Sequence, residues 1–185
     1  MENDKRRMAF IAAADDLFKE KGVSQTSVSD IAKRVNVTRS LFYHYFDDKQ
    51  AIADAVIDCR IDEFISYVQV WSSHLNNDTH DALIELARIA RSYVLGPSLI
   101  GASTARKRDG VLLQRFIVRS SELLANHFVS SRARKGPLMQ MSHAPHPYES
   151  FYAMSLGIMG LMMHDPQVTD EAIADIIASA LRINI

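Results

Sequence analysis

The sequence predicts an all-α chain, and three observations predict it. Apolar residues recur at three- and four-residue spacing along nearly all of its 185 residues. No useful run alternates as a strand would, and Ser, Thr, Asp and Gly fall where helices start and stop. No repeat of solenoid length is evident. Hydrophobic residues make up 48% of the chain, which is ample for a packed core at this length.

The elements follow in order. A first helix is expected from about Asp4 to Lys21, with Phe10, Ile11, Ala14, Leu17 and Phe18 on one stripe and Gly22 as its stop. A second begins near Ser27, where Ser27 and Asp30 form a capping-box pattern, and buries Val28, Ile31, Ala32 and Val35. After a two-residue turn at Asn36 and Val37, Thr38 is placed to cap a third helix that ends by about Phe46. Asp47 with Gln50 offers a cap for a long fourth helix, which carries Ile52, Val56, Ile61, Phe64, Ile65, Val68 and Trp71. A fifth spans about Asp81 to Leu95, ended by "GPSLIG". A short element and then a helix from about Gly110 to Ser131 follow, and "GPLMQMSHAPHP" reads as irregular structure. Helices from about Tyr148 to Met163 and Thr169 to Ile183 close the chain, separated by Pro166.

Charge is uneven. Residues 1–50 hold 9 basic and 8 acidic groups, 51–105 hold 3 and 7, 106–147 hold 8 and 2, and 148–185 hold 1 and 5. The first segment is near neutral, so any nucleic-acid contact there must come from how its charges are arranged. One cysteine, Cys59, excludes an intramolecular disulfide and reads as a small hydrophobe within the fourth helix. "MENDKRRMAF" lacks a signal peptide's apolar run, so a cytoplasmic protein is expected. "FYAMSLGIMGLMMHDP" falls short of the roughly 20 residues of a membrane span, and no membrane partner is expected.

Catalytic and cofactor patterns are missing. No serine sits in a nucleophile elbow and no Gly-rich phosphate loop appears, so neither an enzyme nor a bound cofactor is expected. His143, His146, His164 and Asp165 lack the fixed helical face of a metal site, and no metal is expected.

The second and third helices have the lengths and link of a helix-turn-helix. On a wheel at about 100° per residue, Leu41, Phe42, Tyr45 and Phe46 fall within roughly 140°, with Arg39, Ser40, Tyr43 and His44 on the opposite arc. One side can pack. The other presents a guanidinium, a hydroxyl, a phenol and an imidazole. Arg39 can donate two bonds to guanine, Ser40 can meet a base or phosphate, and Tyr43 and His44 can donate to phosphates or touch thymine methyls. Helix starts near Ser27 and Lys49 would add phosphate clamps, with a full charge on Lys49. The same pattern also describes the surface of any amphipathic helix.

The run "AAADDLFKEKGVSQTSVSDIAKRVNVTRSLFYHYFDDKQAI" closely resembles the N-terminal DNA-binding region of TetR-family transcriptional regulators and covers about a quarter of the chain. The resemblance implies that Phe42 and Phe46 are core and that Tyr43 and Lys49 contact phosphate. It implies that Arg39, Ser40 and His44 read bases, that Tyr45 is core or phosphate-facing, and that Ser27 and Thr38 cap helices while touching the DNA backbone. Asn36 departs from the family's usual glycine, although asparagine tolerates the left-handed conformation better than most residues.

By the same resemblance, residues 1–48 are a three-helix DNA-binding domain, and residues 49–185 a helical ligand-binding and dimerisation domain. Tyr67, Trp71, Tyr93, Phe116 and Arg119 lie on the helices that surround a ligand in such proteins. Aromatics with one cation suit an apolar or anionic molecule, whereas the acidic 51–105 segment favours a cation; plain core is the other reading of the same residues. "GIMG" sets Gly157 and Gly160 about one turn apart for close helix approach. With Ile173, Ile177 and Leu181 they mark either the family's dimer-forming helix pair or an intramolecular core. The function implied is a homodimeric repressor on a palindromic double-stranded DNA operator, released by a small-molecule effector. Its reading helices would lie about 34 Å apart. The rival is a helical small-molecule-binding protein or enzyme whose helix-turn-helix no longer functions.

Overall fold

A computed structural model describes residues 2–73, 79–95, 110–130 and 142–183. Among these are eight helices and no strand: α1 Glu2–Lys21, α2 Val28–Arg34, α3 Arg39–Phe42, α4 Lys49–Ser73, α5 Thr79–Leu95, α6 Gly110–Val129, α7 Pro147–His164 and α8 Asp170–Leu181. The short element expected before α6 lies outside the described residues, as does most of the irregular stretch before α7. No helix among the described residues is long and apolar enough to cross a membrane.

The chain divides into two compact units: among the described residues the first holds 2–60 and the start of α6 at 110–113, and the second holds 61–73, 79–95, 114–130 and 142–183. The division falls inside α4 instead of at residue 48, because the first turns of α4 carry Ile52, Ala53 and Val56 into the first unit's core. That core also holds Phe10, Leu17, Phe18, Ile31, Phe42 and Phe46. Cys59 is half-buried.

Local chemistry sets each boundary in the first unit. Gly22 stops α1 at a φ of 85°, its N–H donating to the Phe18 carbonyl at 2.9 Å. The Ser27 hydroxyl accepts from the Asp30 N–H at 3.1 Å and the Asp30 carboxylate accepts from the Ser27 N–H at 2.8 Å, which closes the capping box. At the far end of α2, Val37 donates to the Ala32 carbonyl and Asn36 to the Lys33 carbonyl, each at 3.0 Å. This is the Schellman arrangement, and it requires the left-handed φ of 57° at Asn36. Thr38 then caps α3 through the Leu41 N–H.

Two expectations change here. The helix that Thr38 caps is shorter, because after Phe42 the turns tighten, with His44 donating to Leu41 and Tyr45 to Phe42 at 3.2 and 2.9 Å. The cap of α4 is Asp48, not Asp47: its carboxylate accepts from the Ala51 N–H at 2.7 Å. Gln50 pairs with Asp54 instead.

In the second unit α8 packs on α5 and α7. Arg91 of α5 clips the α7–α8 turn, donating to the Asp170 carboxylate at 2.7 Å, to the Pro166 carbonyl at 3.0 Å and to the Val168 carbonyl. Thr169 caps α8 through the Ala172 N–H at 3.1 Å.

The turn between α2 and α3 yields a stability prediction. Asn36→Ala should lower the free energy of unfolding by about 1 kcal/mol through left-handed strain, whereas Asn36→Gly should not lower it. Urea denaturation of the three proteins decides this, and an alanine variant as stable as the glycine variant would contradict the role given to this turn.

Candidate functional site

The aromatic run at α3 separates into two faces. Phe42 is fully buried and Phe46 nearly so, while Leu41 and Tyr45 are half-buried. Phe10 of α1 receives three of these rings, with centroids 5.6 Å from Phe42, 5.5 Å from Tyr45 and 6.3 Å from Phe46. Arg39, Ser40, Tyr43 and His44 are all exposed, on the opposite arc of the wheel.

Within that exposed set two residues act together. The Arg39 guanidinium lies over the Tyr43 ring at 5.5 Å and donates to the Tyr43 hydroxyl at 2.9 Å. Tyr43 is 45% exposed and packs its ring edge against Phe42 at 5.5 Å, so the core fixes Tyr43 and Tyr43 holds Arg39. The Thr38 hydroxyl accepts from Leu41 and keeps its own proton available to donate.

Ser27 and Lys49 are more committed to the protein than the sequence suggests. The Ser27 hydroxyl accepts from the Asp30 N–H and donates to the Asp30 carboxylate at 2.8 Å, so in this arrangement no proton remains for a phosphate. Lys49 is half-buried, and its Nζ donates to the Val23 carbonyl at 3.0 Å, which ties the start of α4 to the α1–α2 loop. The Lys49 bond joins residues remote in the chain, which spacing along the sequence does not reveal. Sequence reasoning also passed over Arg7, whose guanidinium lies 5.2 Å from the centroid of the Phe46 ring.

Charge supports the start of α2. Lys21 pairs with Asp30 at 2.8 Å, and the lysine together with the Ser27 N–H and hydroxyl holds the Asp30 carboxyl well below the usual carboxylate range. Arg34 makes a two-pronged pair with Glu20 at 3.0 and 2.7 Å, which lowers the glutamate and raises the arginine. Being exposed, that pair contributes little to stability. Asp15 accepts from both Lys19 of α1 and Arg60 of α4.

The second unit contains a cavity of about 70 Å³. Phe64, Val68, Tyr93, Phe128, Phe151 and Met159 stand on its wall with other apolar residues, and no charged side chain among the described residues lines it. Of the expected ligand residues, only Tyr93 reaches this wall. Phe116 is buried behind it, 6.0 Å from the Tyr93 ring. Trp71 is buried off the wall, Arg119 is half-buried off the wall, and Tyr67 is 68% exposed. An aromatic box with one cation is therefore not what the fold assembles.

Ile173, Ile177 and Leu181 are buried within the protomer's own core, which is the intramolecular alternative for those three. Gly157 is exposed, and a Cβ at Gly157 or Gly160 would meet nothing within 4 Å among the described residues. Ile176, roughly 60° around α8 from Ile173 and about 100° from Ile177, is an exposed large hydrophobe. Among the described residues no three His, Cys, Asp or Glu groups cluster as metal ligands.

Comparison with known proteins bears on both units. The family described as bacterial regulatory proteins, tetR family, matches residues 10–56, from the Phe10 anchor to the first turns of α4. The biofilm operon icaADBC negative transcriptional regulator IcaR of Staphylococcus aureus is 33% identical over 69 residues, which make up 37% of this chain and 37% of that protein. An uncharacterised HTH-type regulator of Lactococcus lactis is 32% identical over 77 residues, 42% of this chain and 35% of its own length. Likeness of fold runs through the whole chain. A putative regulator from Rhodococcus sp. RHA1 aligns with a TM-score of 0.67 at 17% identity, covering 96% of this chain and 95% of that one. RolR in complex with resorcinol aligns at 0.62 and 16% identity, covering 100% and 90%, and the repressor AlkX of a Dietzia strain at 0.62 and 18%, covering 95% of each.

The Asp30 carboxyl gives a pH prediction with a definite sign. Its folded pKa lies below the ordinary value of 3.8, so its contribution to stability is full above that value and is lost as pH falls below it. The stability gap between the wild-type protein and Asp30→Asn should be full at pH 7 and close on acidification. A gap that stays constant from pH 7 to pH 2 would contradict it.

Proposed function

We propose that this chain, which through its residues 10–56 belongs to the tetR family of bacterial regulatory proteins, is a DNA-binding repressor that acts as a dimer and responds to a small molecule. The observation that carries this reading is the exposed quartet Arg39, Ser40, Tyr43 and His44, set on one side of α3 by the burial of Phe42 and Phe46 on the other. Likeness to IcaR, a negative regulator, supports repression.

On DNA, Arg39 would leave the Tyr43 hydroxyl and donate its two N–H groups to guanine in the major groove, while the phenol turns to a phosphate. Ser40 and His44 would meet neighbouring base edges, and Thr38 a phosphate. Lys49 has two ammonium protons beyond the one given to Val23, so it can serve phosphate while holding its loop. Two copies would present these helices about 34 Å apart to a palindrome.

An effector in the second unit's cavity would act through α4, which runs unbroken from Lys49 to Ser73. Phe64 and Val68 of this helix stand on the cavity wall, and Arg60 of the same helix is bonded to Asp15 of α1. A ligand that favours one position of α4 thereby favours one spacing of the reading heads, and DNA favours another. The surface with exposed Gly157 and Ile176 and half-buried Gly160 is the one proposed for the second copy. A cytoplasmic location follows from this role.

Selection of random duplexes by the purified protein should enrich a palindrome; no enriched motif at low salt would sink the regulator reading. Arg39→Ala should relax one base position of that motif by about 1–3 kcal/mol. The Cβ of Gly157→Leu meets nothing within 4 Å among the described residues, so this variant should fold at least as stably yet sediment as a monomer. A folded, dimeric Gly157→Leu would move the interface elsewhere.

A further inference from the structure

Two aromatic pairs stand on the wall of the second unit's cavity. Phe128 and Phe151 stack with centroids 4.7 Å apart and planes within 10°, and Phe64 and Tyr93 lie 4.8 Å apart at 31°. Paired ring faces and edges offer a further ring the offset or edge-on contacts that aromatic groups prefer. Among the described residues only Tyr93 and Ser155 bring side-chain polar groups to the wall, and the Ser155 hydroxyl already donates to the Phe151 carbonyl. With no charged side chain there among the described residues, a carboxylate or ammonium would lose its hydration and gain no counter-ion from them.

Size narrows the class further. The cavity's volume of about 70 Å³ is roughly half that of the ~150 Å³ dry cavity known to admit benzene. A single ring enters once the wall gives way, and the wall contains two thioethers, Met154 and Met159, whose unbranched chains re-pack readily. Entry by displacement is what an effector needs if its binding is to move the helices that carry the wall.

We propose that the effector class of this cavity is a small uncharged aromatic compound of one ring, admitted by movement of Met154 and Met159. As an effector assignment this deepens the regulator reading and rests on it. The tyrosine phenol tolerates a hydroxyl substituent on the ring, because it can both donate and accept.

The experiment compares toluene, benzoate and benzylamine on the full-length chain by thermal melting. At ten times its dissociation constant toluene should raise the melting temperature by about 3–5 °C. Benzoate and benzylamine should bind at least tenfold more weakly. Ala90→Leu and Met159→Phe each add bulk to the wall, and both should lose the toluene shift; two variants guard against one that fails to fold. Charged probes that bind as well as toluene, or an undiminished toluene shift in both folded variants, would overturn the inference. DNA selection without any compound separates the two readings. A chain that selects no motif but binds toluene removes the regulator reading and, with it, the effector assignment. One that selects a palindrome but does not bind toluene removes this inference alone.

Discussion

Phe10 of α1 packs against Phe42 and Phe46, and the orientation of α3 depends on that contact. A helix of four residues has no stability of its own, since nucleation costs more than its few hydrogen bonds return. What holds α3 is therefore a cap at one end, a tightened turn at the other and two buried rings, Phe42 in its last position and Phe46 just past the turn. Once those rings are inside, the wheel sends Arg39, Ser40, Tyr43 and His44 outward with no further instruction. The ring of Tyr43 continues the logic to the surface, because its edge lies on Phe42 and its hydroxyl holds the Arg39 guanidinium.

The second unit solves a different problem with similar means. Arg91 satisfies two carbonyls and a carboxylate around the α7–α8 turn, so a short connection can bring α8 onto α5 and α7. Ile173, Ile177 and Leu181 are used up in that packing. Ile176 of the same helix stays exposed, and a Cβ at Gly157 or Gly160 of α7 would meet nothing within 4 Å among the described residues. The cavity among Phe64, Tyr93, Phe128 and Phe151 is apolar because the helices that enclose it turn their charged residues elsewhere. The expected cation, Arg119, is not on its wall.

What the sequence made legible was chemistry confined to a few neighbouring residues. Ser27, Thr38, Thr169 and Gly22 stand at the helix ends they signalled, since capping depends on residues three or four apart. The two faces of α3 follow from the helical period alone. Lys49 was not legible as a clip on Val23, because the bond joins residues remote in the chain. Nor was the difference between Tyr67 and Trp71, four residues apart. The buried stripe Ile61, Phe64, Val68 and Trp71 spans roughly 80° of α4, and Tyr67 falls about 40° beyond its edge. Aromatic identity drew attention to Tyr67; geometry put it in solvent. The apolar wall around Tyr93 was equally hidden, since five helices, α4 to α8, and their angles must be known before it exists.

The central claim is that burial of Phe42 and Phe46 presents one particular set of side chains to DNA. Titration of the isotopically labelled protein with its selected duplex, followed by nuclear magnetic resonance, tests this most directly. The largest changes should fall on the backbone amides of residues 38–44 and on the Arg39 side-chain Nε–H. Changes centred elsewhere on the chain, with Arg39 unperturbed at saturation, would contradict it.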